Sequence, residues 1–162
     1  MSINKFQPHL LVLPEDSANE QIAIGFRLKS ENYRDMRILH PAGGWSKVLA
    51  TFQRDYVSRL RECPDCNIVL LIDFDGHPER LDKIKDHIPP ELTGRVFVLG
   101  VSSEPEDLKR DIKKSFQDIG KALAQDCSDE TNILWSHNLL QQNESELNRM
   151  DDVRRILFSP RL

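Results

Sequence analysis

Glu15, Asp73 and Asp75 are the residues of this 162-residue sequence whose type and spacing point most directly to chemistry. Each follows an apolar run: Glu15 comes after His9-Leu10-Leu11-Val12-Leu13-Pro14, and Asp73-Phe74-Asp75-Gly76 follows Asn67-Ile68-Val69-Leu70-Leu71-Ile72. Along extended backbone alternate side chains project the same way, so Asp73 and Asp75 are expected to face one point while Phe74 turns to the core. Carboxylates gathered in this way repel one another, which raises a pKa unless a cation joins them. Magnesium suits such a set, because it prefers oxygen ligands near ~2.1 Å and takes one or two carboxylates with water and substrate phosphate. The residues therefore predict a site for Mg2+ or Mn2+. Glu104 and Glu106, which follow a later apolar run, are further candidate ligands. Competing with this are ordinary local roles. Asp and Gly are common turn residues, Asp16 or Ser17 suits a helix cap, and Ser103 with Glu106 has the spacing of a capping box.

The elements that would carry these residues follow from the hydrophobic pattern. Short apolar runs at 9–14, 36–39, 67–72 and 95–100 read as strands, the third being central because it lacks polar alternation. Between them lie helical patterns. Residues 17–29 carry Ala18, Ile22, Gly25 and Phe26 on one side, with Ser17 and Glu20 spaced to start the helix. Trp45, Val48, Leu49, Phe52, Tyr56 and Leu60 recur every three or four residues and predict one long helix after Gly43-Gly44. Shorter helical character spans 78–87, and a further single helix is expected through Leu108, Ile112, Phe116, Ile119 and Leu123. From about 131 the pattern is helical with interruptions, and Asn143 with Glu146 suits a helix start. Strands separated by helices imply an α/β fold, a parallel sheet of about four strands flanked by helices with a helical C-terminus. In such sheets the site lies beyond the carboxyl ends of the strands, which is where the acidic residues fall.

Composition narrows the remaining classes. At 39% hydrophobic the chain can bury one core, and a single domain over 1–162 is expected, with its core at about 9–126 and a helical extension at about 127–162. A net charge of -4 gives no global attraction for nucleic acid, so contact with a polyanion needs a metal or a local basic patch. Lys47 beside Gly43-Gly44 is one such cation, or else a solvated lysine. The opening Met1-Ser2-Ile3-Asn4-Lys5-Phe6 lacks the apolar stretch of a leader, and no run approaches the roughly 20 apolar residues of a membrane span, so a cytoplasmic protein is expected. Cys63-Pro64-Asp65-Cys66 has the spacing of half a zinc site. With no second pair it reads as a tight turn.

A Glu directly after a first apolar strand and an Asp-x-Asp after a later one resembles the signature of Toprim domains. The resemblance runs over roughly residues 9–126 and is strongest to stand-alone or OLD-type (overcoming lysogenization defect) Toprim nuclease subunits. It implies a Rossmann-like Toprim fold and phosphoryl transfer on DNA or RNA. Glu15, Asp73 and Asp75 would then bind magnesium, with Glu15 also a proton carrier. The OLD-type resemblance adds an acidic residue after the fourth strand, matched by Glu104 or Glu106, and a basic residue, matched by Lys109. It also implies an ATPase partner and a place in phage defence. The family pattern puts Gly after the Glu, whereas Asp16 stands here.

Three other readings use the same residues. Leu71-Ile72-Asp73-Phe74-Asp75-Gly76 resembles the nucleophile motif of haloacid-dehalogenase phosphatases, although that family normally opens its fold with this strand. The chain also resembles response-regulator receivers, which implies Glu15 and Asp16 as an acidic pair, Asp73 as phosphoacceptor and Ser102 after the fourth strand, but no fifth strand bearing a Lys is evident. A non-catalytic Toprim-like protein would instead bind a partner through its C-terminus, with Trp135, His137, Arg154 and Arg155 as candidate contacts.

Overall fold

Four apolar runs form four parallel strands in the computed structural model, which describes residues 7–160. The segment read as lacking a leader, Met1 to Phe6, lies outside the described residues. Strand β1 is His9–Pro14, β2 Met36–Ile38, β3 Cys66–Leu71 and β4 Val96–Leu99. Their order across the sheet is β2-β1-β3-β4, with Leu11 opposite Ile68 and Ile68 opposite Val96. Every residue of β1 is buried, which explains its unbroken apolar run: helices cover both faces.

One face packs against the helical stretch after Gly44 and the short helix α4 (Glu79–Lys85). Leu11, Leu13, Ile68, Leu70, Val96 and Val98 meet Val48, Phe52, Leu60 and Ile84 there. The stretch expected as one helix is α2 (Trp45–Thr51) and α3 (Val57–Glu62), joined by a π turn at Phe52–Tyr56. Phe52 and Leu60 are both fully buried although eight residues apart. Eight residues overshoot two α-helical turns, and the extra residue taken up by the π turn restores the alignment.

The other face is covered by α1 (Ser17–Lys29), α6 (Phe116–Asp129) and α8 (Asp151–Phe158). Helices α1 and α6 approach closely at two glycines. A Cβ on Gly25 would lie 1.9 Å from the Gln117 carbonyl oxygen, and one on Gly120 would lie 1.9 Å from that of Ile22. The helix expected through Leu108 and Leu123 is two: α5 (Pro105–Ile112) ends at Lys113, whose φ of 55° is left-handed, and α6 restarts at the Ser115 cap. That break lets Leu108 and Ile119 both reach one cluster with Ile22, Val101 and Leu123.

The C-terminal segment departs most from expectation. Asn143 and Glu146 do not form a capping box. Asn143 closes a 3-10 turn before α7 (Glu144–Leu147), and both side chains turn inward against β4. Glu146 accepts from the Val98 N–H at 3.1 Å, and Asn143 accepts from the Gly100 N–H at 3.0 Å while donating to the Gly100 carbonyl at 2.9 Å. Side chains thus occupy the hydrogen-bonding positions that a fifth strand would fill.

Candidate metal centre

The strand order places a crevice where the acidic residues fall. From β1 the chain crosses to β2 on one side, while β3 lies on the other, so the connections leaving β1 and β3 diverge. Glu15 and Asp16 leave the end of β1, and Asp73 stands just beyond β3. Backbone bonds continue the rim past the strands. The Gly43 N–H donates to the Glu15 carbonyl at 2.8 Å, and the Asp75 N–H donates to the Ser103 carbonyl at 2.9 Å.

Three carboxylates converge in this crevice. One side-chain oxygen from each of Glu15, Asp16 and Asp73 lies within 4.8 Å of the other two. Glu15 is pinned because its Oε2 accepts the Asp73 N–H at 2.5 Å. Asp16 is held because its Oδ1 accepts the Asn19 N–H at 3.0 Å, so that of the two candidate caps of α1 it is Asp16 and not the Ser17 and Glu20 box that serves. Asn19 joins the set: its Nδ2 donates to Asp16 Oδ1 at 3.1 Å and to Asp73 Oδ1 at 2.7 Å.

Burial makes this charge expensive. Desolvation drives the Asp73 carboxyl up to about 8, opposed by the Asn19 bond and reinforced by the nearby Asp16 and Glu15 charges. Glu15 is also raised, first by burial, with the Asp73 N–H holding it down and Asp16 and Asp75 pushing it up. An oxygen-only donor set carrying this much negative charge fits a hard divalent cation. Asn19 faces the carboxylates with its Nδ2, and its Oδ1, at the other end of the amide, is buried without a hydrogen-bond partner.

The other sequence-predicted residues are distributed around this centre. Asp75 is exposed and does not extend β3: it and Gly76 have φ values of 49° and 74°, and the His77 N–H closes the turn on the Phe74 carbonyl at 2.7 Å. The alternation expected of Asp73 and Asp75 fails because the strand has already ended, although Phe74 is buried as anticipated. The Asp75 carboxylate is bound instead by Arg80 Nη1 at 2.7 Å. Glu104, Glu106 and Lys109 lie exposed at the start and along the outside of α5. Glu104 is raised by Glu106 and Asp107, with a smaller push from Asp75. The Lys109 ammonium rests 4.8 Å from the centre of the Phe116 ring.

Arg80 is the rim residue that sequence reasoning missed. It belongs to α4 (Glu79–Lys85), donates also to the Asp73 carbonyl at 2.8 Å and stacks 5.0 Å from the Trp45 ring centre. A cation in the first turn of a helix opposes the macrodipole, so its position there was a signal that an anion lies nearby. Lys47 is also at the rim: a Cβ on Gly43 would lie 3.8 Å from its Nζ.

The two cysteines of Cys63-Pro64-Asp65-Cys66 form a turn between α3 and β3, with the Cys66 N–H on the Cys63 carbonyl at 3.1 Å. Burial lifts the Cys66 thiol to about 11, the opposite of a reactive thiolate. Among the described residues no helix is long and apolar enough to cross a membrane. Comparison of the chain with family models, with curated proteins and with solved structures finds no match.

Proposed function

We propose that this chain carries out metal-dependent phosphoryl transfer on nucleic acid, as a cytoplasmic nuclease or as the nuclease subunit of a complex with an ATPase partner. The observation that supports this reading is the convergence of Glu15, Asp16 and Asp73 within 4.8 Å at the crevice between β1 and β3. These three residues would hold Mg2+ or Mn2+. The bound ion would polarise the scissile phosphate and lower the pKa of an attacking water.

The chain's own groups prepare the site. The Asp73 N–H fixes Glu15, and Asn19 fixes Asp16 relative to Asp73, so the donors are positioned before any ligand arrives. Asp73 must give up its proton to bind a cation, because burial keeps it protonated otherwise. Arg80 and Lys47 supply local positive potential at the rim of a protein whose net charge is -4.

The test is cleavage of DNA and of RNA with Mg2+ or Mn2+, comparing wild type with Asp73→Asn, and with a generic phosphomonoester as the control for phosphatase chemistry. The expected result is metal-dependent nucleic-acid cleavage that Asp73→Asn abolishes. Cleavage unaffected by that substitution sinks the mechanism, and monoester hydrolysis lost in Asp73→Asn favours the phosphatase reading.

A further inference from the structure

Asp75 is the one member of the acidic turn that stands outside the carboxylate cluster: its left-handed backbone ends the alternation of the strand, and a single partner then binds its side chain. Its carboxylate is paired with Arg80, which is itself only 15% exposed, while Asp75 is 46% exposed. The guanidinium is fixed from two further directions, by the Asp73 carbonyl and by the face of Trp45. Arg80 is therefore the more tightly held half of the pair and Asp75 the less constrained one. The Asp75 backbone is held by the Ser103 carbonyl, so its side chain can change rotamer without moving the turn.

We propose that Arg80, laid on Trp45, is a phosphoryl-binding subsite, and that a phosphate of the substrate takes the place of Asp75 on Arg80 and frees Asp75 to join the metal centre. The inference rests on the metal-centre reading above. Its energetic logic is exchange of like for like. A phosphoryl oxygen makes the same charge-assisted bond to guanidinium as a carboxylate does, so the displacement itself costs little. The released carboxylate then gains a divalent cation. Trp45 offers an aromatic face beside the same guanidinium, and Lys47, which has no ion-pair partner among the described residues, adds a second cation on the same segment. A nucleic-acid strand brings both things this subsite takes, a phosphate and a flat base. Substrate binding and metal binding are then coupled through Asp75, each strengthening the other by the same factor.

The experiment measures Mn2+ affinity, by the paramagnetic signal of the free ion, with and without a short phosphorothioate oligonucleotide that resists cleavage. In wild type the oligonucleotide should tighten Mn2+ binding. Asp75→Asn should reduce the ratio of the two affinities, leaving only the part due to direct contact between ion and phosphate, and Arg80→Ala should reduce it too while weakening oligonucleotide binding about tenfold or more. Arg80→Lys keeps the charge but not the fork, and should restore oligonucleotide binding in part. Arg80→Lys and Asp75→Asn carry the test if Arg80→Ala fails to fold. If wild type does not bind Mn2+, or Asp73→Asn binds it equally well, the metal-centre reading falls and takes this inference with it. Mn2+ binding that Asp73→Asn destroys, but whose response to oligonucleotide is absent in wild type or undiminished in Asp75→Asn, overturns this inference alone.

Discussion

Asp73 is where the cost of the site is concentrated. Its carboxyl stands at about 8 against an ordinary value of 3.8, so between those limits the folded chain keeps a proton that the unfolded chain releases. Stability must then fall as pH rises through that window and level off beyond about 8, and Glu15, raised in the same direction, adds to the trend. A divalent cation competes with the proton and reverses the disadvantage at high pH. Without added metal the Tm is expected to be lower near pH 8 than near pH 5. Mn2+ should raise it more at the higher pH, and Asp73→Asn should flatten both responses. A Tm that climbs from pH 5 to pH 8 in the metal-free protein would contradict the buried, protonated Asp73.

Among the described residues strand β4 has no strand neighbour on its outer side, and side chains there bind the Val98 N–H, both polar groups of Gly100 and the Val96 carbonyl. Asn143 and Glu146 do this from the turn and helix that follow the long α6, helped by Gln142, which donates to the Gly100 carbonyl at 2.7 Å, and Arg149, which donates to that of Val96 at 3.2 Å. Glu146 can be buried because Arg149 lies 2.7 Å and Lys85 3.2 Å from its carboxylate. The arrangement closes an edge that would otherwise invite pairing with another chain. Replacing Asn143 by Ala leaves the Gly100 N–H without its acceptor, whereas Gln142 still serves the carbonyl. The substitution should cost about 1–3 kcal/mol in denaturant unfolding. An unchanged midpoint would mean that another group covers β4.

The C-terminal fifth of the chain belongs to the same core as the sheet. Met150, Val153 and Leu157 pack on Leu10, Val12 and Phe97, and Leu140 packs on Leu108 and Ile119. Burying four such side chains contributes about 6–12 kcal/mol, comparable with the whole stability of an ordinary domain. A chain ending after Asp129 is therefore expected to lose cooperative thermal unfolding, and a sharp transition in that truncated protein would show the sheet to be self-sufficient. The division into a core at about 9–126 and a helical extension thus describes the order of the chain better than the distribution of its contacts.

Much of the fold was legible in the residues. Unbroken apolar runs such as Leu10–Leu13 and Ile68–Ile72 mark strands covered on both faces, and the rule that sites lie at strand ends singled out Glu15 and Asp73. The strand inferences succeed because burial sets a local period in side-chain polarity. The polar partners were not legible. Glu15 bonds to a residue 58 positions away, Glu146 to one 48 away and Asn143 to one 43 away, and no local pattern encodes such pairings. The residues grouped Glu15, Asp16 and Asp73 only in the receiver-like reading, and that Asp16 completes the cluster in place of Asp75 was decided by the turn that follows β3. The capture of Asp75 by Arg80 depended on a left-handed turn that ends the alternation of the strand. Apolar side chains need only be turned inward, which their order along the chain specifies. A hydrogen bond needs a particular atom at a particular distance and angle, and only the folded chain supplies that.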